Sequence, residues 1–257
     1  MDLGIRDRTA LVCASTSGLG LATAQALAAE GARVVFTGRR GELAAEHAAR
    51  FPGCAGVRSD LTSVSAAGEL YAAAVDAVGP LDILVLNGPG PTPGPAADLD
   101  PTETEAALRS LLLVHQALLR LALPHMRARR WGRVLAIGSR SVVAPIPNLA
   151  LSNLGRAALA GYLKTLAGEV AADGVIVNML LPGRMATERL RAVDAADAVR
   201  TGQTVDEVTA RAAAAIPAGR DGEPAEFGSV AAFLCSAPAS YITGVALRCD
   251  GGITPVL

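Results

Sequence analysis

Short apolar runs alternate with longer stretches of helical period along the whole chain. The apolar runs predict strands at Thr9–Ala14, Ala32–Thr37, Ala55–Ser59, Leu81–Asn87, Gly132–Gly138, Val175–Leu181 and Val245–Cys249. Helical patterns lie between them, at Gly20–Glu30, Leu43–Arg50, Ser63–Val78, Glu103–Arg129, Leu149–Ala172 and Pro224–Ser236. Near-continuous apolar strands are typical of a sheet buried on both faces. The sequence therefore predicts one domain over residues 1–257, a doubly wound parallel sheet in a three-layer α/β/α arrangement.

Residues 184–216 depart from this alternation. The segment is rich in alanine and carries scattered charges, and it follows the sixth predicted strand. In doubly wound folds, ligands bind beyond the carboxyl ends of the strands. The position predicts a substrate lid, with a helix pair that faces another subunit as the alternative. Arg184, Glu188 and Arg189 are candidate substrate contacts, and a solvated surface is the other interpretation.

Composition excludes several classes of protein. Of the 257 residues, 51% are hydrophobic and 18% charged, so a packed core is expected rather than disorder. A net charge of −1 argues against nucleic acid or an anionic membrane as a partner. The cysteines show neither C-x-x-C spacing nor histidine pairing, so neither a disulfide nor a metal site is expected. No signal segment or membrane span is recognised, which favours a cytoplasmic location.

The first predicted strand leads into a glycine loop, C-A-S-T-S-G-L-G, and then a helix. Glycines in such a loop let the backbone approach a pyrophosphate at the helix N-terminus. The hydroxyl groups of Ser15, Thr16 and Ser17 can bond phosphate oxygens, whereas Ala14 narrows the allowed backbone angles. After the second strand, Arg39 stands where an acidic residue would recognise a ribose without a 2′-phosphate. NADP(H) is therefore favoured over NAD(H), unless Arg39 merely begins a solvated helix.

A frame of three polar residues follows the fifth predicted strand. Ser139 ends the strand, Ser152 lies thirteen residues later, and Arg156 four beyond that. This layout resembles the short-chain dehydrogenase/reductase family, in which serine, tyrosine and lysine hold these positions. The glycine loop and the stretches Asp60–Thr62, Leu86–Gly90 and Pro182–Thr187 are similar to the family's other motifs, as is the C-terminal stretch from Ile216 to Gly252.

The resemblance implies a Rossmann-type fold, a homotetramer or dimer, and a set of cofactor-binding positions. Arg156 would hold the nicotinamide ribose, Asp60 the adenine amine and Thr187 the nicotinamide amide. The full implied set, with the loop and Arg39, is Ser15, Thr16, Ser17, Gly18, Leu19, Gly20, Arg39, Asp60, Leu61, Asn87, Gly88, Arg156, Pro182, Gly183 and Thr187. Subunits would associate through the Leu149–Ala172 helix and the Pro224–Cys249 end.

The catalytic residues themselves differ from the family's. Ser152 is too weak an acid to replace tyrosine, and the guanidinium of Arg156 does not deprotonate in proteins. The family's asparagine position holds Leu111, thirteen residues before Pro124, so Ser139 alone is retained. The chain thus resembles a divergent branch of β-ketoacyl carrier-protein reductase-like proteins. His115, one helical turn beyond Leu111, either faces the cleft or packs in the core.

These residues predict an oxidoreductase with an atypical catalytic site. It would use NADP(H) on a carbonyl or hydroxyl of a small or acyl-carrier-bound substrate, with Ser139 on the substrate oxygen and Ser152 organising water. Two alternatives remain open. One is a non-redox cyclase, dehydratase or aldol-type lyase, because Ser139, Ser152 and Arg156 can stabilise an anionic oxygen. The other is a catalytically silent nucleotide-binding partner.

Overall fold

Seven parallel strands form one sheet in the computed structural model, which describes residues 1–256. The strands are β1 Thr9–Val12, β2 Arg33–Gly38, β3 Ala55–Arg58, β4 Ile83–Leu86, β5 Gly132–Ile137, β6 Val175–Pro182 and β7 Ala246–Cys249. Their order is β3-β2-β1-β4-β5-β6-β7, as a doubly wound fold requires, so the predicted fold class is confirmed. The order reverses between β1 and β4, and the binding crevice of such folds lies at that point.

Helices cover both faces of the sheet. They are α1 Gly18–Ala29, α2 Gly41–Ala48, α3 Val64–Val78, α4 Pro101–Leu108, α5 Val114–Ala128, α6 Ala150–Val170, α7 Glu188–Thr201, α8 Val205–Ala214 and α9 Pro224–Leu234. One buried apolar cluster joins the sheet to α3, α5 and α6, and a second joins it to α1, α2 and α9. Gly228 permits the close packing of α9 on α1, because a Cβ there would lie 2.6 Å from the Ala22 carbonyl oxygen.

The predicted single helix Glu103–Arg129 is in fact two helices joined by a π-helical turn. Asp100 caps α4 by accepting from the Thr102 amide at 2.7 Å, and Pro101 occupies the first turn. The π turn spans Arg109–Leu113, and the Val114 amide donates back to the Arg109 carbonyl. By length and composition alone, Pro101–Ala128 is apolar enough to cross a membrane. Apolar residues of α5 nevertheless pack into the core beneath the sheet.

The segment 184–216 forms the helix pair α7–α8. Thr187 caps α7, and Thr204 and Glu207 form a capping box at α8. Arg184 fixes the pair to the rest of the domain, donating to Asp194 of α7 and to Asp221, each at 2.8 Å. Because these carboxylates occupy its guanidinium, Arg184 is a structural link. These bonds favour the structural role over the expected contact with substrate.

Candidate functional site

The loop between β1 and α1 is held by its own hydrogen bonds. Ala14 adopts a left-handed conformation with φ 47°, at the position where the resembled motif has its first glycine. Ser15 is fully buried, and its hydroxyl donates to the Val12 carbonyl at 2.7 Å and accepts from the Thr37 amide at 2.8 Å. The Ser15 hydroxyl therefore links β1 to β2. It is not free to bind phosphate, which corrects that expectation.

Gly20 and Asn87 close the loop around Ala14. A Cβ on Gly20 would lie 2.3 Å from the Ala14 carbonyl oxygen, so only glycine fits there. The Asn87 side-chain amide, just beyond β4, donates to the same oxygen at 3.2 Å. Together these contacts join the β1 loop to the end of β4, at the point where the strand order reverses.

A cavity of about 380 Å³ lies at the N-terminus of α1. It is lined by Thr16, Ser17, Gly18, Leu21, Ala22, Gln25, Arg40, Leu43, His47, Ala186, Thr187, Glu188, Arg191 and Pro224. Arg40 Nη2 lies 3.4 Å from both the carbonyl and the hydroxyl oxygen of Thr16. Hydroxyl groups, a helix N-terminus and a guanidinium suit a phosphate group.

Arg40 borders the cavity, although the sequence favours its neighbour Arg39 as the cofactor contact. Arg39 and Arg40 are both exposed, but Arg39 is not among the residues that line the cavity. Both residues of the Arg39-Arg40 pair follow β2, and the sequence does not show which side chain turns toward the loop. The orientation of the Arg40 side chain toward the β1–α1 loop depends on the direction in which the backbone enters α2.

The other predicted cofactor positions lie beyond the carboxyl ends of their strands. Asp60 and Leu61 follow β3, Gly88 follows β4, and Pro182 and Gly183 end or follow β6. Thr187 reaches across the crevice, since a Cβ on Gly18 would lie 3.7 Å from its methyl carbon. The structure thus places these positions along one edge of the sheet.

Ser152 and Arg156 meet behind the end of β5. Arg156 Nη1 donates to the Ile137 carbonyl at 2.9 Å, and its Nε donates to Ser152 Oγ at 3.3 Å. Ser139 begins the turn after β5, and its Oγ accepts from the Ser141 amide at 3.2 Å. Each serine hydroxyl accepts a hydrogen bond, which leaves its own proton free to donate. The three residues of the predicted frame therefore lie together at the carboxyl end of β5.

The charge around this frame is positive. Burial, together with the smaller effect of the nearby charge of Arg189, lowers the pKa of Arg156 to about 10. Arg156 remains a cation at neutral pH. The guanidinium of Arg189 lies against Gly90, where a Cβ would be 2.5 Å from both terminal nitrogens. Two guanidinium groups thus border the cleft beyond β4, β5 and β6.

His115 is buried behind the cleft. Its Nδ1 lies 3.0 Å from the Leu111 carbonyl oxygen and its Nε2 lies 3.5 Å from that of Asn87. Burial lowers the pKa of His115 to about 4, so the ring is neutral near pH 7 and supplies no proton there. The Leu111 side chain packs against Gly155, where a Cβ would lie 2.6 Å from its Cδ1. Packing is thus the role that the contacts of His115 support.

Comparisons with known proteins agree with this geometry. The family model described as Enoyl-(Acyl carrier protein) reductase matches residues 13–254. A 3-oxoacyl-[acyl-carrier-protein] reductase of Aquifex aeolicus is 32% identical, covering 98% of this chain and 100% of the relative. L-sorbose reductase from Gluconobacter frateurii, solved with NADPH and L-sorbose, is 28% identical with a TM-score of 0.93, over 100% of both chains.

A third similar protein also has a solved structure. It is a putative NAD(P)-dependent gluconate 5-dehydrogenase from Beutenbergia cavernae with bound NADP, 31% identical over 100% of both chains, with a TM-score of 0.88. The family match and the relatives cover nearly the whole chain and agree with the observed sheet order. The chain therefore belongs to the short-chain dehydrogenase/reductase family, in a branch similar to the 3-oxoacyl-[acyl-carrier-protein] reductases.

Proposed function

We propose that this chain is an NADP(H)-dependent oxidoreductase that acts on a carbonyl or hydroxyl group. The observation that carries the proposal is the cavity at the N-terminus of α1, which Thr16, Ser17 and Arg40 border. Among its lining residues Glu188 is the one acid, against Arg40 and Arg191. Such a lining favours a cofactor with a 2′-phosphate. The similar reductase and dehydrogenase named above were solved with NADPH and NADP.

The residues near β5 would polarise the reacting oxygen. NADPH, when bound, supplies a hydride to the carbonyl carbon. Ser139 has a hydroxyl proton to donate to the substrate oxygen, and Ser152 has one to donate to a water molecule, because each serine already accepts a bond from a protein N–H. The charge of Arg156 stabilises the developing alkoxide. Neither serine nor arginine gives up a proton readily. A water molecule therefore protonates the alkoxide, and Ser152 orients that water molecule.

This arrangement has a kinetic consequence. The loss of a positioned general acid costs about 10²–10⁴-fold in rate. Reduction of ordinary ketones should therefore be slow, and the native substrate, a small molecule or an acyl-carrier conjugate, should compensate through binding. We propose that the helix pair α7–α8 forms a lid over that substrate. Arg184 holds this pair to the domain through Asp194. The lid would exclude water from the cleft once substrate is bound.

We further propose that the chain is a cytoplasmic homotetramer or homodimer. The exposed apolar side chains of Leu154 on α6 and Leu247 on β7, 38% and 40% accessible, favour association at both predicted surfaces. Light scattering of the purified protein tests this. A monomer at micromolar concentration would contradict it.

Cofactor titration and isotope transfer test the proposed activity. Calorimetry should give an NADPH Kd below about 1 mM, the limit of weak binding. Arg40→Ala should weaken NADPH at least about tenfold and NADH less, since the loss of one charged phosphate contact costs about 1.5–3 kcal/mol. Arg39→Ala is the matched control, and it should weaken NADPH binding less.

Deuterium should pass from [4-²H]NADPH to a carbonyl substrate. The absence of NADPH binding or of NADPH oxidation would refute the proposal.

Non-redox catalysis is the second candidate. Its supporting observation is that two serine hydroxyls and Arg156 can stabilise an enolate oxygen as well as an alkoxide. Product formation without NADP(H) would favour cyclisation, dehydration or aldol-type cleavage. If Ser139→Ala, Ser152→Ala and Arg156→Ala all keep their fold and wild-type output, the site is not catalytic and a silent partner role is favoured.

A further inference from the structure

Arg189 spans the crevice between α7 and the loop after β4. It lies in the first turn of α7, and its guanidinium rests against the backbone at Gly90. A Cβ at Gly90 would lie 2.5 Å from both terminal nitrogens, so the glycine leaves room for the planar group. The side chain thus reaches the loop that follows Asn87, at the cleft that Arg156 also borders.

Arg189 has no anionic partner within residues 1–256. It takes part in neither an ion pair nor a side-chain hydrogen bond there, although other arginines of the same segment do. Arg184 bonds to Asp194, and Arg200 and Arg211 both bond to Asp197. The segment therefore neutralises Arg184, Arg200 and Arg211 locally, whereas Arg191 borders the cavity at α1 and Arg189 is directed at the cleft.

A second cation faces the same space without an acid. Arg156 donates only to neutral oxygens, those of Ile137 and Ser152, and its Nη2 makes no hydrogen bond within the described chain. The positive charges of Arg156 and Arg189 repel each other, and this repulsion adds to burial, the larger cause, in lowering the pKa of Arg156. An anion between or beside the two guanidinium groups would remove that repulsion.

The cofactor's phosphates are expected elsewhere. The cavity at the N-terminus of α1 is lined by Thr187, Glu188 and Arg191 of the α7 region, but Arg189 is not among its lining residues. The guanidinium of Arg189 lies instead against Gly90. The two positions separate a phosphate site from a second anion site on the side of the cleft that holds Ser152 and Arg156.

We propose that the substrate carries a carboxylate, which Arg189 binds at the mouth of the cleft while the carbonyl lies toward Ser139 and Arg156. A guanidinium matches a carboxylate through two parallel hydrogen bonds. Resting on the proposed function, the reaction adds the hydride of NADPH to the carbonyl carbon. The π electrons of the carbonyl pass to its oxygen, which takes a proton from water. The carboxylate is unchanged, and the products are a hydroxy acid, NADP⁺ and the hydroxide left by that water.

Binding of matched probes tests this site. The probes are linear oxo acids of four to eight carbons and their carboxamides, measured by calorimetry with and without NADP⁺. At least one oxo acid should bind wild-type protein about tenfold or more tightly than its carboxamide, the value of one charged hydrogen-bonded contact. Arg189→Gln should reduce that ratio to about two or less, and 0.5 M salt should also reduce it. Arg200→Gln on the exposed end of α7 is the matched control and should keep the ratio.

The outcomes separate this site from the proposed function. If NADPH fails to bind but the preference for oxo acids persists and depends on Arg189, the redox proposal fails and the carboxylate site stands. Equal binding of acids and amides at every chain length overturns the carboxylate site. So does a loss of NADPH affinity in Arg189→Gln as large as that in Arg40→Ala, because Arg189 would then hold a cofactor phosphate.

Discussion

Arg156 donates a hydrogen bond from Nε to Ser152 Oγ at 3.3 Å, one helical turn away on α6. The same guanidinium holds the Ile137 carbonyl at the end of β5. The hydroxyl proton of Ser152 is consequently directed away from Arg156 and is free for a substrate or a water molecule. In this protein the pair combines a permanent charge with an oriented donor, and neither member exchanges a proton near neutral pH.

Replacement of Arg156 by lysine should introduce a pH dependence that the wild type lacks. Burial and the charge of Arg189 lower the pKa of Arg156 from 12.5 to about 10. The same surroundings should lower a lysine from its ordinary 10.4 to roughly 8. Because the cation stabilises the anionic oxygen, kcat/KM of Arg156→Lys should fall about tenfold per pH unit above that value. Rate profiles from pH 6 to 9.5 provide the measurement.

The kcat/KM of the wild type should show no such decrease between pH 6 and 9, since the guanidinium of Arg156 stays charged there. Arg200→Lys is the control, because that side chain is 74% exposed at the far end of α7. Parallel profiles for Arg156→Lys and wild type would mean that the charge at position 156 does not act on the reacting oxygen.

Removal of Arg184 should loosen the α7–α8 pair. Its partner Asp194 is 5% exposed and would become an uncompensated buried carboxylate. Breaking such a pair costs about 3–5 kcal/mol. We expect Arg184→Ala to lose about 3 kcal/mol of unfolding free energy, or to exchange amide hydrogens faster over residues 188–214. Urea unfolding and hydrogen–deuterium exchange measure the two effects.

Arg220→Ala is the matched control for Arg184. Its ion pair with Glu226 is exposed, at 58% and 47% of the side chains, and such pairs contribute little to stability. Equal losses in Arg184→Ala and Arg220→Ala would show that Arg184 does not anchor the helix pair.

The sheet could be predicted from the sequence because its strands are apolar on both faces. β4, β5 and β6 are buried along nearly their whole length, and each end of the predicted runs lies within two residues of the observed strand end. The predicted helix Glu103–Arg129 begins too early for α5, which begins at Val114. The π turn at Arg109–Leu113 is flanked by right-handed helical residues on both sides, so residue propensity does not distinguish it from a continuous α-helix.

The candidate site could be predicted only where spacing fixes geometry. Ser152 and Arg156 are four residues apart on a helix and had to be neighbours. The bond from Arg156 to the Ile137 carbonyl depends on how α6 packs on β5, and a backbone acceptor leaves no mark in a sequence. The roles of Arg184 and Arg40 likewise depend on partners distant in the chain or on the direction of a loop.

His115 should make the fold sensitive to mild acid. Burial lowers its pKa from 6.5 to about 4 in the folded chain. Between these values the unfolded chain binds a proton that the folded chain does not, so the unfolding free energy falls as pH falls from about 6.5 to 4. The total loss from this residue should be about 3 kcal/mol.

Urea unfolding at pH 7, 6 and 5 compares wild type with His115→Gln. The glutamine does not titrate, so the variant should lose less unfolding free energy than wild type over this range. A variant as acid-sensitive as wild type would rule out His115 as the source.

Ala14→Gly should stabilise the loop and strengthen cofactor binding. Ala14 has φ 47°, a left-handed conformation that costs a side-chain-bearing residue roughly 1–2 kcal/mol. Glycine removes this strain but adds unfolded-state entropy, so we expect a net gain of about 0.5–1 kcal/mol. Loss of the methyl group should also lower the NADPH Kd. Thermal unfolding and calorimetry measure both effects.

Ala72→Gly, exposed within α3, is the control and should destabilise by about 1 kcal/mol. Equal destabilisation in both variants would mean that the loop holds no strain at Ala14.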